Sequence, residues 1–138
     1  MKNQHPKKYN TVMLVDDNEI DNFIDEKLIK AFDFAENVYI HTSAKSALES
    51  LRNLSLTQNK LPEELIPQFL FLDINMPFLD GFNFLDEFGK LDEQITSKIK
   101  IVMLTSSVNP EDIEKSKKYP RVFKFIHKPL TEKILSQL

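Results

Sequence analysis

Three carboxylates, a hydroxyl and an ammonium each stand where a short apolar run stops. Thr11–Val15 runs into Asp16 and Asp17, Phe69–Leu72 into Asp73, Ile99–Leu104 into Thr105, and Val122–Ile126 through His127 into Lys128. Acids brought together repel one another unless a cation lies among them. A hard divalent ion such as Mg²⁺ takes oxygen ligands and leaves room for a phosphoryl group. A carboxylate beside such an ion can attack phosphorus and form an acyl phosphate. Asp73 is the candidate nucleophile, because Pro77 and Asp80-Gly81 follow it with a rigid loop and a turn. Asp16 and Asp17 are adjacent, so both face one crevice only if the strand ends there; Asn18-Glu19 at a helix start supports that. Thr105 offers a hydroxyl for a phosphoryl oxygen, although Thr and Ser also cap helices. Lys128 at a buried strand end needs a partner, and the acids supply one.

These residues meet only if the runs are strands of one parallel sheet. Short runs rich in Val, Ile and Phe, separated by helical stretches, read as buried parallel strands. Their carboxyl ends share an edge, and ligands bind in the crevice there. The spacing predicts strands over 11–16, 37–41, 68–73, 98–105 and 122–127, with helices over 18–33, 43–54, 81–89, 110–118 and 130–138. In the first helix Ile20, Ile24, Leu28 and Ala31 recur at helical spacing and are expected largely in the core. Ser43 is the expected N-cap of the second helix, which buries Ala44, Ala47, Leu48 and Leu51. The stretch 53–67, broken by Pro62 and Pro67, is longer than a usual connection. Alternating strands and helices argue for an α/β fold with helices on both faces of the sheet.

With 138 residues, 41% of them hydrophobic, the chain suffices for one domain with one substantial interior. Residues 1–10 are polar and basic and read as a flexible lead-in, with the domain over 11–138. The absence of cysteine excludes disulfides and cysteine–zinc sites and fits a cytoplasmic protein. No run is long enough to span a membrane, and no signal core precedes the first strand. The net charge of −3 conceals an acidic middle between basic ends, which disfavours nucleic acid as a partner. Residues 111–138 carry seven Lys/Arg against four Asp/Glu. Gly81 and Gly89 form neither a P-loop nor a dinucleotide pattern, and His5, His41 and His127 show no ligand spacing.

The order of these signals resembles that of a response-regulator receiver domain of two-component signalling, from Val12 to about Leu138. An acidic pair follows the first strand, an Asp the third, with Met76-Pro77 and Asp80-Gly81 behind it. Thr105 follows the fourth strand and Lys128-Pro129 the fifth. The resemblance implies a flavodoxin-like, doubly wound, five-stranded parallel sheet of order 2-1-3-4-5. It implies Asp73 as phosphoacceptor, with Asp17, Asp73 and the backbone carbonyl of Asn75 as direct Mg²⁺ ligands and Asp16 acting through water. Thr105 and Lys128 would bind the phosphoryl group, and Phe125 would change rotamer with Thr105. A sensor histidine kinase or histidine phosphotransfer protein would be the donor, and a downstream protein the effector. The chain would catalyse its own phosphorylation and dephosphorylation, with no separate substrate.

Two other readings compete. An Mg²⁺-dependent phosphatase with an aspartate nucleophile wants a second Asp two residues on, where this chain has Asn75. A non-phosphorylated interaction module would have no need of all five charged-site residues. The end of the chain at Leu138 suggests a stand-alone receiver. The donor is expected near Ile20, Phe23 and Ile24. The effector is expected on the basic surface of 110–118, 122–127 and 130–138.

Overall fold

A computed structural model describes residues 7–56, 63–76, 78–106 and 109–138. Pro62, Pro77 and the first six residues of the lead-in lie outside the described residues. The strands are β1 (Tyr9–Val15), β2 (Ala35–His41), β3 (Phe69–Asp73), β4 (Lys100–Thr105) and β5 (Val122–His127). The helices are α1 (Glu19–Ala31), α2 (Ala44–Leu56), α3 (Gly81–Phe88), α4 (Glu93–Thr96), α5 (Pro110–Ser116) and α6 (Glu132–Ser136), and a 3-10 turn, Glu63–Leu65, precedes β3. All strands pair in parallel in the order β2-β1-β3-β4-β5, as the resemblance implied.

Period-two alternation sorts the core onto the two sheet faces. Met13, Val15, Leu70, Leu72, Ile101 and Met103 meet the apolar sides of α2, α3 and α4. Val12, Leu14, Phe69, Phe71, Val102 and Leu104 meet Ile29 of α1 and Leu135 of α6. β3 lies at the centre, and all five of its residues are buried, Asp73 included. An acid reaches so dry a position only at a strand end, where the crevice begins.

Several features differ from the sequence reading: β2 begins at Ala35 rather than at 37, β4 at Lys100 rather than at 98, and α6 covers only Glu132–Ser136 of 130–138. β1 starts at Tyr9, two residues early, because the Tyr9 ring packs on Phe34 and Phe69 and its N–H bonds to the Phe34 carbonyl. The unanticipated short helix α4 is capped by the Asp92 carboxylate, which accepts from the Gln94 N–H. The apolar row on α1 faces outward: Ile20, Phe23 and Ile24 are 69%, 58% and 54% exposed, while Asn22 and Ile29 are buried. Burying such a side chain is worth about 1.5–3 kcal/mol, so this row forgoes a large gain. The expectations for the second helix hold. Ser43 Oγ accepts from the Ser46 N–H, and the four α2 residues named above are buried.

Candidate functional site

Backbone pairing carries each site residue to the carboxyl edge of the sheet. The Asp16 N–H donates to the His41 carbonyl at 3.1 Å, at the ends of β1 and β2. Asp73 pairs in register with Leu104, and the Ile74 N–H donates to the Leu104 carbonyl at 3.1 Å. The Lys128 N–H donates to the Thr105 carbonyl at 2.7 Å, where β4 and β5 end. The Lys128-Pro129 peptide that follows is cis. Asn18 caps α1 by accepting from the Ile20 and Asp21 N–H groups, so the chain turns away immediately after Asp17. Gly81 lets the loop after Asp73 close: its N–H donates to the Ile74 carbonyl at 2.9 Å, and a Cβ there would lie 2.9 Å from Ile74 Cα. In the same loop Phe78 takes a left-handed φ of 69°, costly for a bulky residue, with its side chain in solvent.

Asp16, Asp17 and Asp73 each place a carboxylate oxygen within 4.8 Å of the others. Asp16 and Asp73 are buried, and Asp17 is exposed at the mouth. Asp16 Oδ1 accepts from the Asn18 N–H at 2.9 Å, and Asp73 Oδ1 accepts from the Asn75 N–H at 3.2 Å. Lys128 Nζ donates to Asp16 Oδ2 at 2.8 Å and lies 3.8 Å from Asp73 Oδ1. Thr105 is fully buried at the end of β4. Phe125 is half-buried against the α2/α3 core face and pairs with Met103, two residues before Thr105.

The charges are out of balance. Burial, with the Asp16 charge adding to it, pushes the Asp73 carboxyl up to about 7, against the pull of Lys128 and the Asn75 N–H. Burial alone would lower the Lys128 pKa; hydrogen bonds to Asp16 and Asp21 reverse this and hold the ammonium above its ordinary value. A pocket that buries a carboxylate and sets further acids beside it suits a hard cation. The donors are all oxygen, the ligand type that Mg²⁺ takes.

Residues 12–138 match the profile of the response regulator receiver domain. The chain belongs to the response-regulator receiver family. Among solved structures, this receiver is similar to a two-component response regulator from Cytophaga hutchinsonii, at 28% identity and a TM-score of 0.82. That match covers 95% of this chain and 94% of the other. It is also similar to a response regulator receiver protein from Dyadobacter fermentans, at 29% identity and a TM-score of 0.78, with 92% of each chain covered. The receiver domain of the histidine kinase CKI1 from Arabidopsis thaliana, complexed with Mg²⁺ and BeF₃⁻, shares the fold. It shows 21% identity, a TM-score of 0.78, and coverage of 92% of this chain and 85% of that one. No curated protein sequence matches.

In this receiver the structure brings Asp16, Asp17, Asp73 and Lys128 together, with Thr105 beside them in the sheet. Sequence reasoning missed three residues of α1. Asp21 Oδ2 accepts from Lys128 Nζ at 3.0 Å. Asp25 is lifted to about 6, first by burial and then by the charges of Asp16 and Asp21. Asn22, buried, donates its amide to the Asp16 carbonyl at 2.8 Å, and its Oδ1 has no hydrogen-bond partner among the described residues. Their signal was present: positions 21, 22 and 25 recur at helical spacing, one step around from the apolar row. Among the described residues, no helix is long and apolar enough to cross a membrane.

Proposed function

We propose that this receiver accepts a phosphoryl group on Asp73 and signals through altered protein contacts in the cytoplasm. The donor is the phosphohistidine of a sensor histidine kinase or a histidine phosphotransfer protein. One observation carries the reading: a buried strand-end carboxylate with two further acids within 4.8 Å and an ammonium 3.8 Å away. An Asp73 oxygen bonds to phosphorus as the P–N bond breaks, and the electron pair of that bond leaves with the imidazole. Mg²⁺, when bound, cancels charge on the transferring group. Asp17, Asp73 and the Asn75 carbonyl are the residues to hold it, with Asp16 acting through water. Lys128 and the Thr105 hydroxyl then donate to phosphoryl oxygens.

Drawing Thr105 inward vacates space for Phe125 to turn, which reshapes the surface of α5, β5 and α6. That surface exposes Lys115, Lys117, Lys118, Lys124 and Lys133, so an acidic effector face fits it. The outward row of Ile20, Phe23 and Ile24 begins three residues after Asp17 and suits donor docking. The test is intact-mass spectrometry after incubation with acetyl phosphate and Mg²⁺. Wild type gains the mass of one phosphoryl group and Asp73→Asn gains none; a gain that survives in the variant refutes the reading. Backbone NMR shifts on adding beryllofluoride and Mg²⁺ reach Phe125 and α5; shifts confined to the Asp73 pocket refute the Thr105–Phe125 switch.

A further inference from the structure

Lys128 is held by more carboxylates than phosphoryl binding requires. Its Nζ lies 2.8 Å from Asp16 Oδ2, 3.0 Å from Asp21 Oδ2 and 3.8 Å from Asp73 Oδ1. The first two distances are hydrogen bonds and the third is not. The two partners differ in their surroundings. The Asp16 side chain is 6% exposed and would be left as an uncompensated buried charge without Lys128. The Asp21 side chain is 38% exposed, on the first turn of α1, where water can solvate its charge. Asp21 is also outside the set of carboxylates that converge within 4.8 Å. Its pairing with Lys128 thus joins to the ammonium a carboxylate that water can solvate by itself and that lies outside the cation pocket.

We propose that Asp21 is a positioning residue that restrains phosphorylation by holding the Lys128 ammonium on the α1 side of the pocket, away from Asp73. The inference rests on Asp73 being the phosphoacceptor. Two of the three ammonium protons are held by Asp16 and Asp21, so the third must reach a phosphoryl group from a position 3.8 Å from Asp73 Oδ1 unless the Asp21 bond is given up. The phosphoryl group also meets the negative charge of Asp21 in a pocket already crowded with acids. Both effects oppose the phosphorylated state, and removing Asp21 relieves both. The first helix thereby sets how readily the site takes and keeps a phosphoryl group, by a contact that leaves the metal-binding acids untouched.

The experiment titrates beryllofluoride, at saturating Mg²⁺, into wild type, Asp21→Asn, Asp21→Ala and Glu19→Gln. Glu19 is an exposed acid on the same helical turn, while the ion pairs of Lys128 are with Asp16, Asp21 and Asp73. Losing a partly exposed competing pair predicts beryllofluoride binding about two- to fivefold tighter in both Asp21 variants, with acetyl phosphate uptake faster by a similar factor. Glu19→Gln is expected to match wild type. In the metal-free protein the ¹⁵N resonance of the Lys128 ammonium shifts in Asp21→Asn and stays in place in Glu19→Gln. Unchanged or weaker binding in the Asp21 variants overturns the proposal while leaving the phosphoacceptor role intact. An equal gain in Glu19→Gln overturns it as well, since loss of charge alone would then suffice. Wild type that takes up neither beryllofluoride nor phosphoryl overturns both the restraint and the function on which it rests.

Discussion

Replacing Asp73 by asparagine should stabilise the metal-free protein at alkaline pH, although it removes the phosphoacceptor. Burial, reinforced by Asp16, raises the Asp73 carboxyl from 3.8 to about 7 in the folded protein. Between those values the folded protein keeps a proton that the unfolded chain has lost, so stability falls as pH rises. The penalty is absent below about pH 4, grows towards pH 7 and is constant above it. Each pKa unit corresponds to about 1.4 kcal/mol, and the full interval to a ceiling of about 4 kcal/mol. The pull of Lys128 from 3.8 Å is already contained in that value, and only a closer approach of the ammonium to the ionised carboxylate lowers the penalty further, so about 2–4 kcal/mol is expected at pH 8. The amide introduced by Asp73→Asn carries no charge and keeps an oxygen to accept from the Asn75 N–H, now 3.2 Å from Asp73 Oδ1. Thermal unfolding in EDTA at pH 8 should therefore place Asp73→Asn roughly 6–12 °C above wild type, taking about 3 °C per kcal/mol for a domain of this size. At pH 4 the two should coincide. Asp25 and His41 also shift, but they are common to both proteins and cancel in the difference. A variant no more stable than wild type at pH 8, or equally stabilised at pH 4, would refute the electrostatic account of the pocket.

Three further outcomes follow from the same geometry. Asp17→Ala should weaken Mg²⁺ binding, read by calorimetric titration, more than Asp16→Ala; equal affinity of wild type and the Asp17 variant contradicts its role as a ligand. Gly81→Ala should cost about 1–3 kcal/mol, read as a lower urea midpoint, because its Cβ would meet the Ile74 Cα at 2.9 Å and the Asp73 carbonyl at 3.1 Å. Phe23→Ala with Ile24→Ala should lower the rate of uptake from a phosphohistidine donor relative to uptake from acetyl phosphate. Unfolding should change by less than about 0.5 kcal/mol per site, because both side chains are more than half exposed.

The sheet and most of the site were legible because buried parallel strands leave a distinctive pattern, an apolar run ending on a polar residue at the open edge. Asp16, Asp17, Asp73, Thr105 and Lys128 were all found that way. The first helix was misread for a definite reason. The amphipathic rule sends apolar residues inward, but the face of α1 at the crevice has to be polar, since Asn22 holds the Asp16 carbonyl and Asp21 meets Lys128. The apolar row of Ile20, Phe23 and Ile24 is left for the surface. Asp21 escaped notice because the sequence shows it as one acid among several on an acidic helix. Only the placement of Lys128, more than a hundred residues away, gives it a partner. The early start of β1 depended likewise on rings distant in sequence, Phe34 and Phe69.

The most direct test of the central claim is to locate the phosphoryl group on the chain. Wild type is incubated with acetyl phosphate and Mg²⁺, the acyl phosphate is reduced with borohydride, and the peptides are mapped by mass spectrometry. The account predicts one modified residue, Asp73, recovered as the reduced alcohol and absent from Asp73→Asn. Modification at Asp16 or Asp17 instead, or none anywhere in the wild-type chain, would contradict it.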